Sequence, residues 1–248
     1  MQAIPGFITV RTTSSRLPAK CLLPFGDGMN VLQHVIRRAK HFNINPIVCT
    51  STDSSDDGVE RIARVENAKC FRGSLANKLK RWGDCAEHFG LAAFHTVDAD
   101  DPFFDGEEMR RSFDLLRAGN WDMVCPTDSS SSGGASVGYS LTTSVVRRAS
   151  AGLPDETDTE MMWYHVDKVV GLKKTTLPES RSNPVKVRLT LDYEQDYWLL
   201  ESVRRIVGNL APREVVEELF SRNPDLYSIN WFRNDEWAAG QLAKKIPD

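Results

Sequence analysis

Apolar positions along the chain switch between two periods. Residues 6–10 (GFITV) form a short apolar run ending in β-branched residues, which predicts a buried strand. Residues 11–28, rich in Ser, Thr, Pro and Gly, predict a loop. Leu32, Val35, Ile36 and Ala39 then recur at helical spacing, with Arg37, Arg38 and Lys40 elsewhere around the turn. Residues 46–50 read as a second strand, and residues 54–57 (SSDD) cap a helix carrying Val59, Ile62 and Ala63. Strands at 68–71 and 91–97 flank a helix striped by Leu75, Leu79, Trp82, Ala86 and Phe89. Met109, Phe113 and Leu116 mark the next helix, with Asp105 as its N-cap, and residues 121–125 the next strand.

The order is βαβαβ, which predicts an α/β fold: a mainly parallel central sheet with helices on both faces. Ligands in such sheets bind beyond the carboxyl ends of the strands. Two of those ends carry dense chemistry, residues 11–20 and 98–105. Residues 127–136 (TDSSSSGGAS) predict a mobile loop or lid. Residues 137–184 are less periodic and read as a smaller inserted arm with β character. A strand at 185–190, a helix at 193–207 and a last helix at 212–220 complete a single domain over 1–248.

Composition excludes several classes. Lys+Arg is 31 against Asp+Glu 34, a net charge of −3, so no basic footprint for nucleic acid exists. No run approaches the ~20 apolar residues of a membrane span. The apolar run at 3–10 is too short for a usual signal peptide and has its charge, Arg11, on the wrong side. Five widely spaced cysteines with no CxxC point to a reduced, cytoplasmic protein without a cysteine zinc site.

Three motifs carry chemistry. Residues 11–20 (RTTSSRLPAK) gather three cations and four hydroxyls after a strand. Backbone N–H groups, hydroxyls and fixed cations are what a triphosphate needs, and the segment is neither a Walker A loop nor a GxGxxG turn. Read as a solvated basic loop, it needs no ligand. Residues 97–102 (VDADDP) place Asp98 and Asp100 on one side of a continuing strand, where hard oxygen donors suit Mg²⁺. Residues 188–196 (RLTLDYEQD) add Arg188, Asp192 and Asp196, with Asp192 also a candidate helix N-cap and Arg188 a candidate partner for Glu194 or Asp196.

In order and spacing these residues resemble the CMP-sugar synthetases: the acylneuraminate and 3-deoxy-manno-octulosonate cytidylyltransferases, and most closely the spore-coat polysaccharide branch. The resemblance rests on Arg11, Ser14, Arg16, Leu17, Pro18 and Lys20, and on Phe71, Arg72, Gly73, Ser74, Leu79, Arg81 and Trp82. It continues through Asp100 and Pro102, then Arg188, Thr190, Asp192, Asp196 and Tyr197, and more loosely Asn230, Asn234 and Glu236. Thr13 and Ala19 stand where that family usually has glycine, and Ala99 replaces the glycine before its aspartate.

The resemblance implies a Rossmann-like nucleotide-diphospho-sugar transferase fold and a reaction. CMP passes from CTP to a sugar acid, a 2-keto-3-deoxy acid by this resemblance, and pyrophosphate leaves. In those terms Arg11, Lys20 and Asp100 are catalytic, and Arg11, Ser14, Arg16, Lys20, Arg72 and Ser74 bind nucleotide. Asp100 and Asp192 hold Mg²⁺, and Arg188 and His165 meet the acceptor. The resemblance also implies a homodimer, with the arm at 137–184 contributing to it. Of the other histidines, His34, His41 and His88 are expected at the surface and His95 in a buried strand. Two rival readings remain open here: a glycosyltransferase using Asp98-Ala99-Asp100 as a DxD metal motif, and a nucleotide-binding protein without turnover.

Overall fold

A computed structural model describes residues 3–13, 16–131, 137–180 and 185–243. Its strands are β1 (Ile4–Thr9), β2 (Ile44–Ser51), β3 (Lys69–Gly73), β4 (Ala93–Asp98), β5 (Met123–Cys125), β6 (Ser140–Thr142) and β7 (Lys174–Thr176). They form one seven-stranded sheet in the order β3-β2-β1-β4-β6-β5-β7. β6 runs antiparallel to β4 and β5, and every other pairing is parallel. The helices are α1 (Val31–His41), α2 (Asp57–Val65), α3 (Lys78–His88), α4 (Gly106–Ala118), α5 (Asp128–Ser131), α6 (Thr143–Ser150), α7 (Trp163–Val166), α8 (Glu194–Val207), α9 (Arg213–Arg222) and α10 (Arg233–Ala243). Among the described residues no helix is long and apolar enough to cross a membrane.

The period of two along each strand divides the core between the two faces of the sheet. Phe7, Ile47, Cys49 and Phe94 point to one face and pack with Leu79, Trp82 and Ala86 of α3 and Val145 and Val146 of α6. Ile8, Val48 and Val97 point to the other and meet Val35 and Ile36 of α1, Ala63 of α2 and Leu200 of α8. Each Val, Leu, Ile or Phe among them contributes about 1.5–3 kcal/mol when fully buried. The Phe7 and Phe94 rings stack at 4.0 Å between centroids, joining the two strands whose ends frame the cleft described below.

The helix starts follow local chemistry. Asn30 accepts from the Gln33 N–H at 2.9 Å while the Gln33 side chain accepts from the Asn30 N–H, a capping box that sets α1. Asp105 accepts from the N–H groups of Glu107 and Glu108 and so caps α4, as its spacing predicted. At α8 the acceptor is Asp196, one turn in, which takes the N–H groups of both Asp192 and Tyr193 at 2.9 Å. That assignment leaves the Asp192 carboxylate free for other work.

Three expectations change. Residues 140–142 and 174–176, placed in a protruding arm by their irregular pattern, are strands of the central sheet, and α6 of the same segment packs on α3. Residues 185–190 bury Val187 and Leu189 as a strand does, but they join no ladder. The segment is tethered instead by the Leu191 N–H to the Asp100 carbonyl at 2.7 Å and by the Asn230 amide to the Arg188 carbonyl at 2.9 Å. His34 is buried, because its face of α1 lies under Phe25 and Phe103, and it bonds the Pro102 carbonyl at 2.8 Å. His41 and His88 are exposed and His95 is buried, as expected. The low-complexity stretch at 127–136 contains α5, and residues 132–136 lie outside the described residues.

Burial holds His34 and His95 near a pKa of about 4, well below the ordinary histidine value. The unfolded chain therefore takes up protons that the folded chain refuses between pH 6.5 and 4, and stability falls as pH drops through that window. Full protonation in the unfolded state costs up to about 3 kcal/mol per histidine. Urea unfolding of the wild type and of His34→Gln at pH 7.5 and pH 5 is expected to show a smaller pH-dependent loss in the variant, and an identical pH dependence contradicts the burial of that ring.

Candidate functional site

The loop after β1 is shaped by one buried carboxylate. Asp56 accepts from the Thr12 N–H at 2.9 Å and the Thr12 hydroxyl at 2.8 Å, and from the Ser51 hydroxyl at 2.5 Å. Burial opposes its charge, but the hydrogen bonds from Ser51 and Thr12 prevail and hold its pKa below the usual carboxylate range. The loop closes where the Ala19 N–H reaches the Thr12 carbonyl at 3.3 Å. Ala19 itself sits in the left-handed region at φ 51, a conformation that glycine adopts without strain. The loop delivers Arg11, Arg16 and Lys20 to a cavity of about 480 Å³ at the carboxyl ends of β1 and β4.

The centre of the cavity is an ammonium between two carboxylates. Lys20 Nζ lies 2.5 Å from Asp100 Oδ2 and 2.8 Å from Asp192 Oδ1. Arg16 Nη2 reaches the same Asp192 oxygen at 2.6 Å, and Arg188 Nη2 approaches its other oxygen at 3.4 Å. Burial works against charge on Lys20, yet Asp100 and Asp192 outweigh it and raise its pKa above the ordinary lysine value. Burial likewise works against charge on Asp192, but Lys20 and Arg16 hold it down at about 2. Lys20 and Asp192 are therefore fixed charges at physiological pH.

A second set of charges lines the cavity beside the first. Glu160, on the segment before α7, accepts from Arg11 Nη2 at 3.0 Å and lies 3.5 Å from Lys78 Nζ of α3. Asp98, at the end of β4, is pushed up to about 6 by burial and by Asp100, with Lys78 pulling the other way. Asp101 is raised well above the usual range by burial and by the same crowding, and it accepts the Thr190 hydroxyl at 2.6 Å. Trp82, Tyr139 and Trp163 supply aromatic wall, and the Trp82 indole N–H donates to the Thr9 hydroxyl at 2.9 Å.

The structure brings Arg11, Arg16, Lys20, Asp100 and Asp192 to one cavity, although 172 positions separate Lys20 from Asp192. Ser14 lies outside the described residues. Arg72 and Ser74 do not line the cavity. Arg72 spans Asp57 and Glu60 and donates to the Ser51 carbonyl, so it fastens β3 to α2. Ser74 donates to the Asp155 carbonyl and accepts from the Asn77 N–H, which shapes the turn into α3. Arg188 is buried, and its guanidinium is held by Asp196 at 2.9 and 3.1 Å and by Asn234 at 2.9 Å. It does not line the cavity, and its guanidinium is engaged by Asp196. His165 lies on α7 away from the cavity wall. Lys78 and Glu160 escaped the sequence reading, because no local pattern joins residues 82 positions apart.

The donor set fits a divalent cation of the Mg²⁺ type. Asp100 and Asp192 offer hard carboxylate oxygens that already converge on one positive charge, at 2.5 and 2.8 Å from the Lys20 ammonium. Among the described residues no three His, Cys, Asp or Glu side chains form a closed metal cage. An ion here takes the rest of its shell from phosphate and water, as Mg²⁺ ordinarily does.

The sequence matches the model of one protein family, described as cytidylyltransferase, over residues 6–203. No curated protein sequence matches the chain. Among solved structures, a cytidylyltransferase from Leptospira borgpetersenii serovar Hardjo-bovis superposes with a TM-score of 0.79 at 24% identity, covering 92% of this chain and 97% of that one. A CMP:2-keto-3-deoxy-manno-octonic acid synthetase solved with CTP gives 0.61 at 12% identity, covering 82% and 99%. A Mycobacterium tuberculosis protein solved with manganese gives 0.54 at 16% identity, covering 82% and 99%. At these identities the structural likeness shows a shared fold, the nucleotide-diphospho-sugar transferase arrangement.

The buried pairing of Arg188 has a direct consequence. Arg188→Met strips Asp196 of its main cationic partner, and breaking a buried ion pair costs about 3–5 kcal/mol. Urea titration of the variant is expected to show a loss of that order. Normal stability accompanied by a raised acceptor KM restores the substrate role.

Proposed function

This chain belongs to the cytidylyltransferase family, and within it we propose a CMP-sugar synthetase: transfer of CMP from CTP to a sugar acid, with release of pyrophosphate. The observation that carries the reading is the meeting of Arg16, Lys20, Asp100 and Asp192 in one cleft, with Arg11 at its side. A glycosyltransferase needs a cation for a diphosphate leaving group but no three-cation loop. Family membership sets the DxD reading of Asp98-Ala99-Asp100 aside.

The proposed chemistry is an in-line displacement. The acceptor hydroxyl oxygen bonds to the α-phosphorus and gives its proton to water, the bond from that phosphorus to the α,β-bridging oxygen breaks, and pyrophosphate leaves with the electron pair. Such a reaction asks mainly for alignment and charge neutralisation. Lys20 and Arg16 are fixed, partly buried cations, so they offset charge on the β- and γ-phosphates without reorganising. Arg11 at the mouth of the loop steadies the same chain of phosphates. Asp100 and Asp192 hold Mg²⁺, which when bound neutralises charge on the leaving pyrophosphate. The preference for cytosine comes from the family.

The acceptor is a 2-keto-3-deoxy sugar acid, destined for surface polysaccharide or glycoconjugate. All five cysteines are free thiols, which suits a cytoplasmic reaction. The protein acts as a homodimer, and the surface proposed for it includes residues 151–172, which lie outside the sheet and leave Val170 92% exposed. Light scattering at micromolar concentration is expected to give twice the chain mass, and a clean monomer mass removes the dimer.

Pyrophosphate release from each of the four nucleoside triphosphates, with Mg²⁺ and a panel of 2-keto-3-deoxy sugar acids, tests the reaction. Release is expected with CTP and at least one acid. Equal release from CTP, UTP and ATP removes the base preference, and CTP binding without release favours a nucleotide-binding protein. Lys20→Ala is expected to lower turnover by about 10²–10³, the cost of losing a preorganised charge at the reacting group. Asp100→Asn and Asp192→Asn are expected to abolish metal-dependent turnover while circular dichroism stays native. Wild-type rates in any of the three return the loop to a solvated surface.

A further inference from the structure

Lys78 is placed where a lysine is unfavourable for folding. It is the first residue of α3, directly after the N-cap Asn77, so its charge stands at the positive end of the helix dipole. Its side chain is 11% exposed, so the ammonium is largely withdrawn from water. Its neighbours on the buried side of α3 are Leu79 and Trp82, and an aliphatic side chain would pack beside them without the cost of a buried charge. A position that breaks both helix-end and burial preferences points to a use outside folding.

The ammonium is also incompletely satisfied. Its close hydrogen bond runs to the Glu160 backbone carbonyl at 2.9 Å, and the Glu160 carboxylate stands at 3.5 Å, too long for a good charge-assisted bond. The ammonium lies 5.2 Å from the centre of the Trp82 ring and faces the cavity. The other three cations of the cavity belong to the loop after β1, where Arg16 and Lys20 surround Asp100 and Asp192. Lys78 lies on a different element and makes no contact with Asp100 or Asp192, meeting the loop only through Glu160, which it shares with Arg11; Tyr139, Trp163 and Thr96 line the same cavity.

We propose that Lys78 is the anchor for the acceptor's carboxylate. The assignment rests on the sugar-acid reading above and names the residue that selects an acid over a neutral sugar. The Glu160 carboxylate, 40% exposed on a segment between α6 and α7, is already paired with Arg11 at 3.0 Å and keeps that pairing when the acceptor's carboxylate comes to Lys78. The aromatic side chains beside it offer flat apolar faces for a sugar ring, and Lys78 fixes which end of that ring carries the charge.

Steady-state pyrophosphate release tests this with 3-deoxy-manno-octulosonate and N-acetylneuraminate as probes, using whichever the wild type turns over faster. Lys78→Met is expected to raise the acceptor KM about 10- to 100-fold, the range for losing a hydrogen bond to a charged group. The CTP KM is expected to stay within about twofold, and Lys78→Arg to recover most of the acceptor affinity. Lys78→Gln, which keeps the polar stem, replaces Lys78→Met if that variant does not fold. An unchanged acceptor KM, or a rise confined to CTP, overturns the role of Lys78 while leaving the sugar-acid reading intact. If the wild type uses neither acid, the sugar-acid reading fails and the assignment of Lys78 falls with it.

Discussion

The cleft is organised around the ammonium of Lys20. Asp100 follows β4 and Asp192 precedes α8, and two carboxylates facing one partly buried space repel each other unless a cation lies between them. At an effective dielectric of 20, one opposite charge at 4 Å is worth about 4 kcal/mol before desolvation is subtracted. Lys20 meets both carboxylates, so it joins the loop after β1 to the turn after β4 and to the start of α8. The segment before Asp192 forms no sheet ladder, and this contact, with the Leu191 bond to Asp100, is what brings it to the cleft. The same arrangement prepares a polyphosphate site, because the cations are fixed before the ligand arrives and need only exchange one set of oxygens for another.

Elements whose signals are local were legible in the sequence. The alternation of strand and helix through residue 125 follows hydrophobic period, and the Asp105 cap follows its position before an amphipathic run. The convergence of Lys20, Asp100 and Asp192 was legible for a different reason: ordered motifs carried it, since no periodicity joins segments so far apart. In the sequence reading, Asp192 follows a sheet strand at 185–190. It ends an extended segment instead, and the meeting survives because Lys20 supplies the tie.

What was not legible depends on long-range competition for partners. Arg188 has neighbours at 192 and 196, and the sequence allowed either an acceptor or a carboxylate to claim it. The fold buries it, and burial forces the ion pair with Asp196. Asp196 takes both backbone N–H groups at the helix start, which releases Asp192 from capping. Ala19 adopts the left-handed backbone that glycine enters freely, at a local cost of about 1 kcal/mol. Lys78 was invisible because its partner, Glu160, lies on an irregular segment with no pattern of its own.

A crystal structure with a non-hydrolysable CTP analogue and Mg²⁺ tests the central claim most directly. The account predicts phosphate oxygens within hydrogen-bond distance of Lys20 Nζ and of the Arg16 guanidinium, with the metal bound to Asp100 and Asp192. A triphosphate seated elsewhere, with Lys20 still closed between the two carboxylates, contradicts it.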